Sequence, residues 1–176
     1  MWSGLERNGV LSVPLHAGIY GERLAMSNWA DSVMTKRFYL ATRKDRSKEA
    51  DALSDSLKAQ GWERTFVWTA QDNGSADEYR EVALKELTGV RGSDVLVVLL
   101  PGGYGTHVEI GAAIALGKPV ILHAPDRKTL ETPYPCVFHY HPGVKLLVSE
   151  VLNVDEILAC MQLFAKEPST LEDQSL

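Results

Sequence analysis

The sequence predicts an α/β domain built on a doubly wound parallel sheet of about five strands flanked by helices. Short apolar runs typical of strands alternate with amphipathic helical segments along residues 37–165. Residues 94–100 (DVLVVLL) form a near-continuous apolar run, as in a parallel strand buried on both faces. A glycine-rich turn joins this run to a helix. Such alternation requires right-handed crossovers and predicts a flavodoxin- or Rossmann-like sheet.

The first part of the domain contains two strand–helix units. Residues 37–42 (RFYLAT) predict the first strand, and residues 45–60 predict an amphipathic helix that ends before Gly61. Residues 64–68 (RTFVW) predict the second strand, and residues 77–90 predict the second helix. The apolar positions of the first helix fall on one face, namely Ala50, Leu53 and Leu57.

The alternation continues after the buried strand. Asp94 should lie at the amino end of that strand, where a structural role is expected. Asn153 is the predicted N-cap of the last helix. The predicted elements are, in order, a helix at 106–117, a strand at 119–123 (PVILH), a proline-bearing loop at 124–135, a strand at 144–149 and a helix at 153–165.

One domain accounts for most of the chain, since 176 residues suffice for one compact core. Residues 35–166 are assigned to this domain. Residues 1–34 show no sustained helical or strand period and are predicted to be a loosely ordered extension. The alternative is an arm that docks on a partner subunit through Trp2 and Trp29. Residues 167–176 are predicted to be a flexible tail.

Composition excludes several classes of function. A net charge of −5 argues against nucleic-acid binding by phosphate neutralisation. No apolar stretch approaches the length of a membrane span, and the start of the chain lacks a signal-peptide pattern. Cys136 and Cys160 lack metal-ligand spacing and are expected to be reduced thiols. The expected location is therefore cytoplasmic.

The loop at residues 101–107 is the first candidate site. Ligands of open parallel sheets bind beyond the carboxyl ends of the strands, near the switch in strand order. Gly102, Gly103 and Gly105 would let backbone amides approach an anion. Thr106 is the predicted N-cap, and its hydroxyl could also contact a phosphate. Taken alone, the loop is either an anion site or a tight turn.

Glu109 is predicted to lie in the first turn of the following helix. The helix dipole would there stabilise its ionised form by about 0.3–1 kcal/mol. An ionised carboxylate beside a pocket suits a nucleophile or an oxocarbenium stabiliser. A first-turn glutamate is also simply a good helix starter. The small residues that follow at 110–117 (IGAAIALG) favour a site, because they allow close packing of the helix start on the sheet.

A cluster of cations at residues 42–48 (TRKDRSK) is the second candidate site. Positive charge at a helix start opposes the helix dipole. A bound phosphate would compensate for it, with Arg43 as the expected fork donor. The alternative is a solvated helix end balanced by nearby carboxylates, namely Asp45, Glu49 and Asp51.

The aromatic and histidine candidates carry weaker signals. Trp68 and Tyr104 fall at strand ends, where an aromatic ring could stack on a base, although Trp68 could equally belong to the core. His107 could donate a proton to a leaving group or face solvent. His139 and His141 could share a strand face as metal ligands, but no third ligand accompanies them, so no metal is expected.

Several segments resemble the nucleoside 2-deoxyribosyltransferase-like family, which includes deoxynucleoside 5′-monophosphate N-glycosidases. They are FYLATR (38–43), SDVLVVLL (93–100) and GTHVEIGAAIALGKPVILHA (105–124). The most specific part is 109–119, which fits the family's Glu-(Leu/Met/Ile)-Gly-x-Ala run followed by Leu-Gly-Lys-Pro. The resemblance covers roughly residues 37–150.

A second resemblance is confined to residues 101–109 (PGGYGTHVE). They fit PGGxGTxxE, the signature of the cytokinin-activating phosphoribohydrolases, with Glu109 as its last residue. The arginine-lysine motif that precedes it in that family is not found here. Both resemblances imply chemistry at the N-glycosidic bond of a nucleoside or nucleotide.

The first resemblance implies roles for single residues. The matching glutamate attacks C1′, which would make Glu109 the nucleophile. Thr42 and Arg43 would lie in the loop that meets the sugar and a 5′-phosphate. The acidic helix residue that binds the sugar appears here as Glu86. Family members often carry Asp or Ser at the position of Gly103. Without that side chain, either the loop amides would hold a phosphate or the site would be less competent.

The predicted function is cleavage of the N-glycosidic bond of a nucleoside or nucleoside 5′-monophosphate, with hydrolysis and transfer to another base left as alternatives. Glu109 would attack, the 101–106 loop and Arg43 would hold the anionic end, and Trp68 or Tyr104 would flank the base. No metal or organic cofactor is expected. The resemblance also implies a homodimer or larger homo-oligomer. The alternative function is a non-catalytic nucleotide-binding or sensing module on the same fold.

Overall fold

The computed structural model of the protein describes residues 36–68 and 74–166. The predicted N-terminal extension (residues 1–34) and C-terminal tail (167–176) lie outside the described residues, so both stay predictions. Residues 69–73, between the second strand and the second helix, also lie outside them.

The described residues form a five-stranded sheet in which every neighbouring pair is parallel. Numbered in chain order, the strands lie side by side in the order 2-1-3-4-5, as in doubly wound folds of the flavodoxin type. The predicted fold class is therefore confirmed. The strands are β1 Lys36–Ala41, β2 Trp62–Arg64, β3 Val95–Leu99, β4 Val120–Ala124 and β5 Val144–Val148.

Helices cover both faces of the sheet. Ser75 caps α2, since its hydroxyl accepts from the amide of Glu78 while the Glu78 carboxylate accepts from the amide of Ser75. Asn153 caps α4, as predicted, by accepting from the amides of the two residues Asp155 and Glu156. The helices are α1 Ser47–Ala59, α2 Ala76–Gly92, α3 Tyr104–Ala115 and α4 Val154–Lys166, and short 3₁₀ segments occupy Lys44–Arg46 and Val137–Tyr140.

Alternation along the buried strands divides the core into two layers. Phe38 and Leu40 of β1 face the layer of α1 and α4, whereas Tyr39 and Ala41 face the layer of α2 and α3. All four side chains are fully buried. A tyrosine in the middle of such a strand needs a hydrogen-bond partner for its hydroxyl. Tyr39 finds that partner in the functional site described below.

The second strand differs from its predicted range of 64–68. It spans Trp62–Arg64 and pairs with the start of β1. Beyond Arg64, one more backbone bond joins the amide of Thr65 to the carbonyl of Phe38. The next free carbonyl of β1, that of Leu40, accepts instead from the indole Nε1 of Trp68 at 3.0 Å. Because the side chain of Trp68 satisfies this carbonyl, the backbone pairing with β1 does not continue past Thr65. The indole ring of Trp62, at the start of β2, is buried.

The strand order places a crevice at the carboxyl ends of β1 and β3, where crossovers depart to opposite faces of the sheet. The amino ends of the same strands are joined by Asp94, whose carboxylate accepts from the amide of Arg37 at 2.7 Å. Asp94 therefore lies at the amino end of its strand, as predicted. This is the end of the sheet opposite the crevice.

Candidate active site

The glycine loop after β3 is shorter than predicted. Helix α3 begins at Tyr104 rather than at residue 106, and Gly103 is its N-cap. Thr106 is therefore not the N-cap; it lies inside the first turn, where its hydroxyl accepts from the amide of Gly103 at 3.2 Å. His107 is likewise helical and not part of the loop.

Glu109 is consequently the sixth residue of α3 and lies in the second turn, not in the first. Its side chain is buried, with only 4% of the residue exposed. The hydroxyl of Tyr39 donates to its Oε1 at 2.5 Å. Small and apolar residues of the same helix, Ile110 and Ala113, pack fully buried on the sheet and hold this part of α3 close to β1.

The protonation of Glu109 differs from the sequence-based expectation. Burial raises the pKa of Glu109 to about 7, the hydrogen bond from Tyr39 opposes this rise, and the negative charge of Glu86 adds to it. The expected stabilisation of the ionised form by the helix dipole is therefore wrong, because the loss of water around the carboxylate outweighs it. Burial together with the Glu109 carboxylate raises the pKa of Tyr39, so its hydroxyl stays a proton donor.

Tyr39 is the site residue that sequence reasoning missed. Its hydroxyl contacts a residue 70 positions away in the chain, a pairing that no local pattern indicates. The available signal was a tyrosine inside an otherwise apolar strand. Such a residue indicates a buried hydrogen bond but does not identify the partner.

A small open cavity of about 180 Å³ lies beside Glu109 at the carboxyl ends of β1 and β3. It brings together most of the residues predicted from the sequence, and Lys44, which was not singled out, also lines it. The predicted residues that line it are Thr42, Arg43, Trp68, Glu86, Gly103, Gly105, Thr106 and Glu109. Two larger cavities, of about 650 and 640 Å³, lie at the amino ends of the strands beside Arg37 and Glu63 and contain none of these residues.

Thr42 and Trp68 are fixed in the cavity wall by bonds to strand carbonyls. The hydroxyl of Thr42 donates to the carbonyl of Leu99 at 2.7 Å and so joins the ends of β1 and β3. The indole of Trp68 donates to Leu40, as described above. Glu86 reaches the cavity from α2, and partial burial raises the pKa of its carboxyl.

Both arginines at the start of α1 are paired with carboxylates. The guanidinium of Arg43 donates to both carboxylate oxygens of Asp45, at 2.8 and 2.5 Å. Arg46 pairs with Glu49 and also donates to the carbonyl of Leu100 at the end of β3. These pairs correspond to the alternative in which carboxylates balance the helix end. Arg43 nevertheless lines the cavity, so a bound phosphate would compete with Asp45 for its guanidinium.

Two predicted site residues are not among those that line the cavity. Tyr104 is 97% exposed, so its ring packs against none of the described residues. Gly102 instead packs against the first turn of α3. A Cβ at this position would lie 2.6 Å from Cγ2 of Thr106, which leaves no room for a side chain.

This packing predicts that a side chain is not tolerated at Gly102 but is tolerated at the adjacent Gly103. Gly102→Ser should lower the free energy of unfolding by about 1–3 kcal/mol, because its Cβ would overlap the branched side chain of Thr106. Gly103→Ser should change it by no more than about 0.5 kcal/mol, since its Cβ would lie 3.8 Å from Cγ of Arg43 and serine is a favourable N-cap. Urea unfolding of the two variants measures the difference. Equal stability would show that Thr106 does not constrain Gly102.

His139 and His141 do not share a strand face. His139 belongs to the 3₁₀ segment that precedes β5, and His141 follows that segment. The Nδ1 of His141 accepts from the amide of Gly143 at 3.0 Å. The predicted pairing of these two histidines is therefore wrong, because the chain turns between them.

Residues 38–165 match the sequence profile of the nucleoside 2-deoxyribosyltransferase family. The chain belongs to this family. Membership indicates an enzyme that acts on nucleosides or nucleotides as small-molecule substrates by cleaving or transferring their N-glycosidic bond. The first resemblance identified in the sequence is thereby confirmed.

Several solved structures are similar to this chain, and BlsM among them supports the fold. BlsM, solved in solution, is 17% identical with a TM-score of 0.53 over 78% of this chain and 98% of its own. The CMP N-glycosidase BcmB from Clostridium botulinum is 25% identical with a TM-score of 0.49, over 73% of this chain and 99% of its own. A 2-desoxiribosyltransferase from Leishmania mexicana is 14% identical with a TM-score of 0.45, over 76% and 99% of the two chains. Among curated proteins, no sequence matches.

The helices of the described residues are too short or too polar to cross a membrane.

Proposed function

We propose that this member of the family cleaves the N-glycosidic bond of a nucleoside or nucleoside 5′-monophosphate by attack of Glu109 on C1′. One observation carries the proposal. Glu109 is a buried carboxyl at the edge of the cavity, oriented by the hydroxyl of Tyr39 at 2.5 Å. A carboxylate with little surrounding water and a fixed direction suits attack on an electron-poor sugar carbon.

The proposed reaction has two steps. In the first, a carboxylate oxygen of Glu109 forms a bond to C1′ while the bond from C1′ to the base nitrogen breaks, and the departing base takes a proton from solvent. In the second, water attacks C1′ and gives up a proton to solvent while the bond from C1′ to Glu109 breaks, which gives the free sugar and the carboxylate. A second base in place of water would give a new nucleoside, so hydrolysis and transfer share one glycosyl-enzyme.

The other lining residues have roles that follow from their chemistry. Glu86 faces the cavity from α2 and is assigned to the sugar hydroxyls. Arg43 and the amides at the start of α3 are assigned to a 5′-phosphate, because the first amides of a helix have no acceptor within it. Trp68 is assigned to the base, since the hydrogen bond to Leu40 fixes its ring in the cavity wall.

A substrate panel tests the proposal. The full chain is incubated with deoxyribo- and ribonucleosides and their 5′-monophosphates, and free base is measured by chromatography. Release of base from at least one compound supports an enzyme. Ligand-induced thermal shift without release from any compound would favour the nucleotide-sensing alternative. Adding a second free base and looking for the exchanged nucleoside distinguishes transferase from hydrolase.

Tyr39→Phe should move the pH dependence of base release toward higher pH. The hydroxyl of Tyr39 lowers the pKa of Glu109, and a hydrogen bond to a charged group contributes about 1.5–3 kcal/mol. Its loss should raise the midpoint of the pH–rate profile by at least about one unit. Tyr134→Phe, at an exposed tyrosine, is the matched control. An unchanged midpoint in Tyr39→Phe would show that Tyr39 has no part in setting the protonation of Glu109.

The homo-oligomer and the cytoplasmic location stay predictions. Light scattering coupled to size-exclusion chromatography measures the first, and the nearly fully exposed Tyr104 beside the cavity is a suitable position for a fluorescence or crosslinking probe of a neighbouring subunit.

A further inference from the structure

Three side chains with metal-binding atoms converge next to the start of α3. They are His107, Cys136 and His139, and one ligand atom of each lies within 4.8 Å of the others. None of them lines the 180 Å³ cavity, and neither cysteine forms a disulfide. The group is therefore a feature separate from the proposed active site.

The 3₁₀ segment Val137–Tyr140 presents two of the three ligands together. Cys136 is its N-cap, and the amide of His139 donates to the carbonyl of Cys136 at 3.1 Å. In a 3₁₀ helix, residues three apart lie above one another on one face. A cysteine and a histidine at this spacing therefore point to the same side, which explains how the local fold assembles a ligand pair.

His139 is 5% exposed, and neither of its ring nitrogens has a hydrogen-bond partner within the described residues. A buried polar atom without a partner destabilises the fold. A metal ion bound by one of the two nitrogens would supply a partner for that nitrogen.

His107 has the orientation of a metal-binding histidine. Its Nδ1 lies 2.8 Å from the carbonyl of Gly103, and since a carbonyl only accepts, Nδ1 carries the proton. The lone pair is then on Nε2. Metal-binding histidines commonly donate their other ring N–H to a carbonyl in this way. The rings of His107 and His139 lie 5.3 Å apart at 28°, so both imidazoles border the same space.

We propose that His107, Cys136 and His139 form a binding site for Zn²⁺ or a similar thiophilic divalent cation. Imidazole and thiolate are the ligands such ions prefer, and three protein ligands leave a fourth position for water. Tetrahedral coordination places ligand atoms about 3.3–3.8 Å apart, so the three atoms need to approach by about 1 Å.

The bound ion would join the 3₁₀ segment to the first turn of α3 through His107, whose Nδ1 donates to the carbonyl of Gly103. Because an ion that binds the folded state stabilises it, added Zn²⁺ should raise the Tm. The ion would also limit the motion of the loop that borders the cavity. This role does not depend on Glu109, so the site is testable even if the proposed reaction is wrong.

Cobalt spectroscopy tests the site. The full chain is stripped with a chelator, dialysed and titrated with Co²⁺, and then Zn²⁺ is added to displace it. The expected result is one equivalent of Co²⁺ with a thiolate charge-transfer band and the intense visible bands of tetrahedral coordination. A titration of the wild-type chain that shows no thiolate band would overturn the proposal.

Matched variants locate the ion. Cys136→Ser and His139→Gln should each weaken Zn²⁺ binding at least about 100-fold and abolish the zinc-dependent rise in Tm. Cys160→Ser and His141→Gln, which alter the other cysteine and the neighbouring histidine, should bind like the wild type. Unchanged affinity in Cys136→Ser, or loss of binding in His141→Gln alone, would place the ion elsewhere and overturn the proposal.

Discussion

Glu109→Gln should reduce the rate of base release at least about 10³-fold, equivalent to about 4 kcal/mol of transition-state stabilisation. The amide has nearly the shape of the carboxyl but no negative charge, so it cannot form the bond to C1′. Its oxygen can still accept the hydrogen bond that Tyr39 donates to Oε1 in the wild type. The variant should therefore fold and bind substrate while losing catalysis, which lowers kcat more than it alters KM.

The measurement is single-turnover release of base with the best substrate of the panel. Glu63→Gln removes an exposed carboxylate on β2, outside the small cavity, and should keep wild-type activity. Glu86→Gln should mainly raise KM if this residue binds the sugar. If Glu109→Gln released base at the wild-type rate, Glu109 would not be the nucleophile, and the cavity would need another catalytic group.

Base release should increase about tenfold between pH 6 and pH 8, with a midpoint near pH 7. Only ionised Glu109 can attack, and burial raises its pKa to about 7, so about one eleventh is ionised at pH 6 and about ten elevenths at pH 8. An exposed glutamate would be fully ionised over this range, and activity would then be flat. The profile is measured as kcat/KM with chelator present, so that metal binding does not contribute.

The free energy of unfolding should fall as pH rises, whereas base release should increase. Between about pH 4.5 and 7, the unfolded chain loses the Glu109 proton while the folded chain retains it, so the free energy of unfolding falls as pH rises. The total decrease from this group is roughly 3 kcal/mol by pH 8. Glu109→Gln should remove this decrease and exceed the wild type in stability at pH 8. Parallel urea titrations at pH 5 and pH 8 provide the comparison, and equal pH slopes for the two proteins would contradict a raised pKa.

Much of the fold is predictable because parallel sheets have a strong local signature. The apolar run of β3 and the amphipathic helix α1 both lie within two residues of their predicted bounds. The main error was β2, predicted at 64–68 and found at Trp62–Arg64. An edge strand is paired on one side only. Where it ends depends on which groups satisfy the carbonyls of its neighbour, and here an indole N–H takes the place of a backbone amide.

The location of the site is also largely predictable. Thr42, Glu86 and Glu109 are far apart in the sequence, yet all line one cavity. The carboxyl ends of adjacent parallel strands necessarily meet at one edge of a sheet, so a motif after β3 must lie near the end of β1. The roles of single residues are harder to predict from the sequence. Gly102 and Gly103 look equivalent in the sequence, but only the first packs against Thr106.

The amino-acid sequence by itself determines the doubly wound fold, the family, and Glu109 as the residue to examine, because each follows from local periodicity or a contiguous motif. Only the tertiary structure decides the pairing of Tyr39 with Glu109 and the raised pKa of that carboxyl. The same is true of the meeting of His107 with Cys136 and His139. These properties depend on desolvation and on distances of a few ångströms between segments far apart in the chain, and neither is a property of local sequence.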